Sequence, residues 1–112
     1  TTWLLNIDRS ICSAKKLTGL DFKEISLMRW IDVGCGNGRD SFYFASKGIN
    51  CTGIDQSDSA VKINNSNISF DISNLNFIQG DFPSFDYKSL NLDKFSPVKI
   101  VRSTKVFLLV VK

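Results

Sequence analysis

Histidine is absent from the 112 residues. Its absence removes the usual general base near neutral pH, the commonest zinc ligand and every Ser-His or Cys-His nucleophile arrangement. Catalysis, if there is any, must run on carboxylates, lysine, tyrosine or geometry alone. Cysteine is scarce and unpatterned. Cys12, Cys35 and Cys51 are odd in number and show no C-x-x-C spacing, so neither a disulfide framework nor a zinc site is suggested, and a reduced, cytoplasmic setting fits best. No apolar run approaches the roughly 20 residues of a membrane-spanning helix, and the opening "TTWLLNIDRS" lacks the apolar stretch of a signal peptide, so no membrane role is expected. Charge of one sign is in small excess only: 14 basic and 11 acidic side chains leave +3, well short of a nucleic-acid-binding footprint. The chain opens on Thr1 rather than Met, as a processed or excised piece would.

What remains is ordinary globular composition, 43% hydrophobic and 22% charged, enough for one small domain over residues 1–112. "SICSAKKLTGL" (10–20) places Ile11, Ala14 and Leu17 near helical spacing, with Ser10 as N-cap and Gly19 as C-terminal stop. "MRWIDVG" (28–34) reads as a buried strand. Phe42, Phe44 and Ala45, closed by Gly48, read as an amphipathic helix. "INCTGID" (49–55) is a second strand, and "SDSAVKINNSNI" (57–68) a helix capped by Ser57 or Asp58 that carries Ala60, Val61, Ile63 and Asn64. "LNFIQGD" (75–81) is a third strand. Strand, helix, strand, helix, strand is the βαβαβ half-unit of a doubly wound sheet. Beyond Pro83 the signal loosens. "PVKIV" (97–101) reads as a candidate fourth strand, and the apolar residues Val106 to Val110 favour strand, with helix still open. The bias of "INNSNISFDISNLN" towards Asn, Ser and Ile fits the nucleotide composition of the source as well as function.

The chemistry concentrates in "WIDVGCGNGRDSF" (30–42). Glycine at 34, 36 and 38 removes every second side chain from one side of a loop, at the strand end where parallel sheets bind ligands. Backbone N–H groups there, with the helix N-terminus near Arg39, are expected to be open donors. A dinucleotide fingerprint, G-x-G-x-x-G, fails because its third glycine falls on Arg39. The spacing G-x-G-x-G, preceded by Asp32, is satisfied.

In that form "DVGCGNGRDS" resembles the loop of class I S-adenosylmethionine-dependent methyltransferases. The resemblance covers about residues 30–82, and the cofactor-binding core it implies spans about 28–82. It implies that Asp32, Gly34, Cys35, Gly36 and Gly38 form the cofactor loop. Asp55 in "CTGIDQS" then holds both ribose hydroxyls, and Gln56 faces the adenine edge. Asp81, followed by Phe82 in "FIQGDF", receives the adenine amino group. The implied fold is an α/β, Rossmann-like three-layer sandwich with a mostly parallel sheet, incomplete relative to the seven-stranded methyltransferase fold. The implied cofactor is S-adenosylmethionine and the implied acceptor a small molecule, since the wording is most similar to the small-molecule branch, including bacterial domains associated with tellurite resistance or surface polysaccharide synthesis. No metal and no catalytic base are singled out.

Each of these residues also has a structural reading. The glycines can build a tight turn, Asp55 can cap the helix at 57, and Asp81 can shape a turn. Phe42, Tyr43, Phe44 and Phe77 read as core. A carboxylate at Asp32 inside a buried strand is harder to explain that way, because an unpaired one is costly. A sheet stopping at its fourth or fifth strand leaves an open edge. The chain is therefore expected to be part of a larger enzyme, to act with a partner or as a homo-oligomer, or to be an inactive relic; a non-catalytic assembly or interaction module is the alternative reading.

Overall fold

The computed structural model describes residues 2–80, 97–102 and 105–110, and side-chain caps open two of the helices among them. Helix α1 runs Thr2–Thr18, so Ser10 lies within it rather than at its N-cap, and Gly19, with φ +73°, follows its end. Helix α2 (Phe22–Ser26) opens on a capping box. Asp21 accepts from the Glu24 N–H at 2.9 Å, and Glu24 accepts from the Asp21 N–H at 3.3 Å. That D-x-x-E signal was present in the sequence and yields an element the periodicity did not suggest. Helix α3 (Arg39–Ser46) springs directly from Gly38 without a side-chain cap. Helix α4 (Asp58–Ser66) is capped by Ser57, whose hydroxyl accepts from the Ala60 N–H at 3.2 Å.

Strands β1 (Arg29–Val33), β2 (Asn50–Asp55) and β3 (Leu75–Gln79) alternate with α3 and α4 as the sequence suggests, and β4 (Pro97–Arg102) and β5 (Lys105–Val110) complete a sheet of order β3-β2-β1-β5-β4. β1, β2 and β3 pair in parallel. β5 runs antiparallel to both of its neighbours, β1 and β4, so it alone opposes the direction of the other strands. Only residues 103 and 104 separate β4 from β5, and a link so short permits only antiparallel pairing.

The register puts Trp30, Cys51 and Leu75 side by side, and likewise Asp32, Gly53 and Phe77. These residues face the helices, together with Phe107 and Leu109. Ile11 and Ala14 of α1, Ile25 of α2, Phe44 of α3 and Val61 of α4 pack onto that one side. The cluster is aromatic at its centre: Trp30 stacks on Phe44 at 4.9 Å, and Phe107 meets Phe44 edge-on at 5.2 Å. Leu17 and Ile63 share the helical spacing but are 62% and 60% exposed, whereas Asn64 is buried. On the opposite face Ile31, Thr52, Ile54 and Leu108 are buried. The described residues thus supply two of the three expected layers. No helix among them is long and apolar enough to cross a membrane.

Among the described residues β3 is an edge strand, and an edge exposes unpaired backbone groups. Asn65 stands in for a missing neighbour: its Oδ1 accepts from the Phe77 N–H and its Nδ2 donates to the Phe77 carbonyl, both at 3.0 Å. Asn74, just before β3, ties the end of α3 to the start of β2 by donating to the carbonyls of Ala45 at 3.0 Å and Ile49 at 3.1 Å. The asparagine bias therefore has structural uses. Asn65→Ala is expected to lower the unfolding free energy in urea by about 1–3 kcal/mol, the cost of two backbone groups losing their partner; an unchanged midpoint would show that the clamp contributes nothing.

Candidate functional site

The segment 34–38 turns from the carboxyl end of β1 into α3, and all three of its glycines have positive φ, between +53° and +78°. Gly38 is also constrained by space. A Cβ there would stand 2.9 Å from Phe77 Cζ and 3.2 Å from Phe42 Cε2. Those two rings, 5.4 Å apart, form the floor under the loop. The close approach that a dinucleotide fingerprint assigns to its third glycine therefore falls at Gly38, while Arg39 is exposed. Gly53 of β2, outside the glycine loop, supports the same floor. A Cβ on it would come within 2.5 Å of Phe77 and 3.0 Å of the Cys35 sulfur.

Most of the loop's donors are spent inside the protein. Gly34 and Cys35 both donate to the Ile54 carbonyl, at 2.8 and 2.9 Å, and Gly38 donates to the Cys35 carbonyl at 2.9 Å. Gly36 donates to Asp55 Oδ2 at 2.9 Å, and Arg39 to the Asn37 side chain at 3.1 Å. The expectation of open backbone donors is corrected accordingly: the carbonyl at the end of β2 and the adjacent carboxylate take the N–H groups of 34–36.

Asp55 is half-buried at the end of β2. Besides Gly36, it accepts from the Ser57 N–H at 2.9 Å through Oδ1. It therefore sets the approach to α4, while the cap itself is Ser57. A carboxylate has about four acceptor positions, so each oxygen keeps one for a ligand. Asp32 is fully buried and accepts from the Ser41 hydroxyl at 2.7 Å. It stands behind the loop, tying β1 to the first turn of α3, where the helix dipole favours negative charge. Ser41 lies within the singled-out motif, but its pairing across the loop carried no sequence signal.

Cys35 is buried with its sulfur towards Gly53, leaving backbone alone for any ligand. Gly34 and Gln56 are exposed and Gly36 is half-buried. Asp81 and Phe82 lie outside the described residues. The structure thus joins Asp55 directly to the glycine loop, with Asp32 as a brace behind it. The resulting rim is rich in acceptors, poor in donors and bare of side chains at Gly34 and Gly36, where an added Cβ would meet nothing within 4 Å. Such a rim suits a ligand that brings hydroxyl donors and positive charge better than one that brings phosphate. A polar cleft of about 200 Å³ lies at the opposite, amino-terminal strand ends, where Arg29 donates to Thr52 and Thr52 to Asn76.

Residues 24–107 match a family model described as "Methyltransferase domain". The chain belongs to that family. In this methyltransferase domain the matched span includes β1 to β4, the first half of β5, the glycine loop, Asp32 and Asp55. No curated protein and no solved structure matches the chain significantly. The packing account separates two glycines that share a backbone conformation: Gly38→Ala should destabilise the domain by roughly 1–3 kcal/mol more than Gly36→Ala, because only the former drives a methyl into packed rings. Equal losses in urea denaturation would contradict it.

Proposed function

We propose that this methyltransferase domain binds S-adenosylmethionine on the rim formed by residues 34–38 and Asp55, and serves methyl transfer to a small-molecule acceptor. One observation carries the reading. A half-buried carboxylate at the end of β2 is hydrogen-bonded into the glycine loop while retaining an acceptor position on each oxygen. Two adjacent oxygens match two adjacent hydroxyls, and each charge-assisted bond contributes about 1.5–3 kcal/mol. Gly34 and Gly36 leave room for a ligand to approach the loop backbone, and Asp32 with Ser41 holds the first turn of α3 in place. Gln56 is exposed beside Asp55, where an adenine edge would lie. The family resemblance adds Asp81 and Phe82 to that contact.

S-adenosylmethionine, when bound, supplies a methyl group already activated on a sulfonium, so alignment rather than a covalent protein nucleophile is the main demand. A chain without histidine can meet that demand, and its residues act by binding, orienting and excluding water. The acceptor is placed among small molecules because the motif wording resembles the small-molecule branch of the family, and a net charge of +3 is well short of a nucleic-acid-binding footprint. Three cysteines, odd in number and without C-x-x-C spacing, support a reducing, cytoplasmic setting.

Isothermal calorimetry with S-adenosylhomocysteine tests the reading. The folded chain should bind with Kd below about 1 mM, and Asp55→Ala should weaken that binding about 10-fold or more. A folded sample that releases no heat at millimolar ligand would remove the proposal.

A further inference from the structure

We propose that Asn64 of α4 is a positioning residue that holds the rim in its binding geometry through Gly36; the assignment rests on the rim being a nucleoside site. Asn64 is only 3% exposed, and a primary amide buried to that degree is costly unless it is hydrogen-bonded. Its Nδ2 donates to the Gly36 carbonyl at 2.8 Å, across 28 residues of sequence. The N–H of the same glycine donates to Asp55 Oδ2 at 2.9 Å. The two bonds flank the Gly36 Cα, one on each adjoining peptide.

That arrangement supplies what glycine itself lacks. With no side chain and nothing within 4 Å of a would-be Cβ, Gly36 has no steric reason to stay at φ +53°. Polar anchors on both sides provide the restraint instead. Asn65, the next residue, grips the Phe77 backbone, so the part of α4 that carries Asn64 is fixed against the sheet edge. Loss of the Asn64 bond frees the Gly36 peptides, and Asp55 Oδ2 then loses a fixed donor. Held then through Ser57 alone, the carboxylate is less well fixed and must be ordered further when ligand arrives, which weakens binding. Asn64 touches no ligand in this account and acts only through Gly36 and Asp55.

The test is a double-mutant cycle read by calorimetry with S-adenosylhomocysteine, using the wild type, Asn64→Leu, Asp55→Ala and the double variant. Asn64→Leu keeps the volume and removes the donor. It should weaken binding about 10-fold in the wild-type background and by about 2-fold or less once Asp55 is already alanine, because the two act as one unit. A purely structural asparagine would lower thermal stability and leave the affinity of the folded protein unchanged, and that result overturns the assignment while leaving the rim intact. Failure of the wild type to bind overturns the rim reading and, with it, this assignment. Should Asn64→Leu not fold, nitrogen-15 NMR of the wild type decides. Two resolved, slowly exchanging Asn64 side-chain protons that shift when S-adenosylhomocysteine is added support the role; fast-exchanging protons indifferent to it overturn it.

Discussion

Asp55 makes the interaction on which the rest of the site depends. Its two oxygens accept from the N–H groups of Gly36 and Ser57, so one carboxylate joins the end of β2 to the glycine loop on one side and to the start of α4 on the other. Hydrogen bonds to a charged acceptor contribute about 1.5–3 kcal/mol each, enough to order a loop that three glycines would otherwise leave loose. Asp32 and Ser41 make a second tie at the far end of the same loop, between β1 and α3. Both braces start from a strand and end near a helix start, so the packed sheet, not the loop, sets the position of the rim.

The partners already held by most of the loop's donors narrow the ligand class. The N–H groups of Gly34, Cys35, Gly36 and Gly38 all have partners in the protein, and a phosphate would have to displace these bonds without a gain in number. A diol asks the reverse. It brings donors to an acceptor that still has positions to fill, and breaks nothing. The glycines then matter for the space they leave at 34 and 36 and for the packing they permit at 38 and 53, where Phe77 fills the room a Cβ would need.

Much of this was legible in the sequence because it is local. The βαβαβ order follows from changes of hydrophobic period, and the strand-to-helix loop from three glycines in five positions. Asp55 stands where the methyltransferase resemblance expects an acid, at the end of the second strand. What was missed depends on partners distant in the chain or on short links. The reversal of β5 follows from a two-residue connection, which outweighs the preference for parallel order. Asn64, Asn65 and Asn74 looked like compositional bias because their partners, Gly36, Phe77, Ala45 and Ile49, lie 12 to 29 residues away. The open donors expected of the loop were lost to the Ile54 carbonyl, an acceptor whose availability depends on how β2 ends. Ser10 was read as a cap because the apolar spacing becomes clear only after it, yet α1 begins at Thr2.

Amide chemical-shift mapping during titration with S-adenosylhomocysteine would locate the ligand on the fold. The largest shifts should fall on residues 34–38 and 55–57, with little change at Arg29, Thr52 and Asn76 at the other end of the strands. Shifts centred on that opposite end, or none at saturating ligand, would contradict binding at the rim.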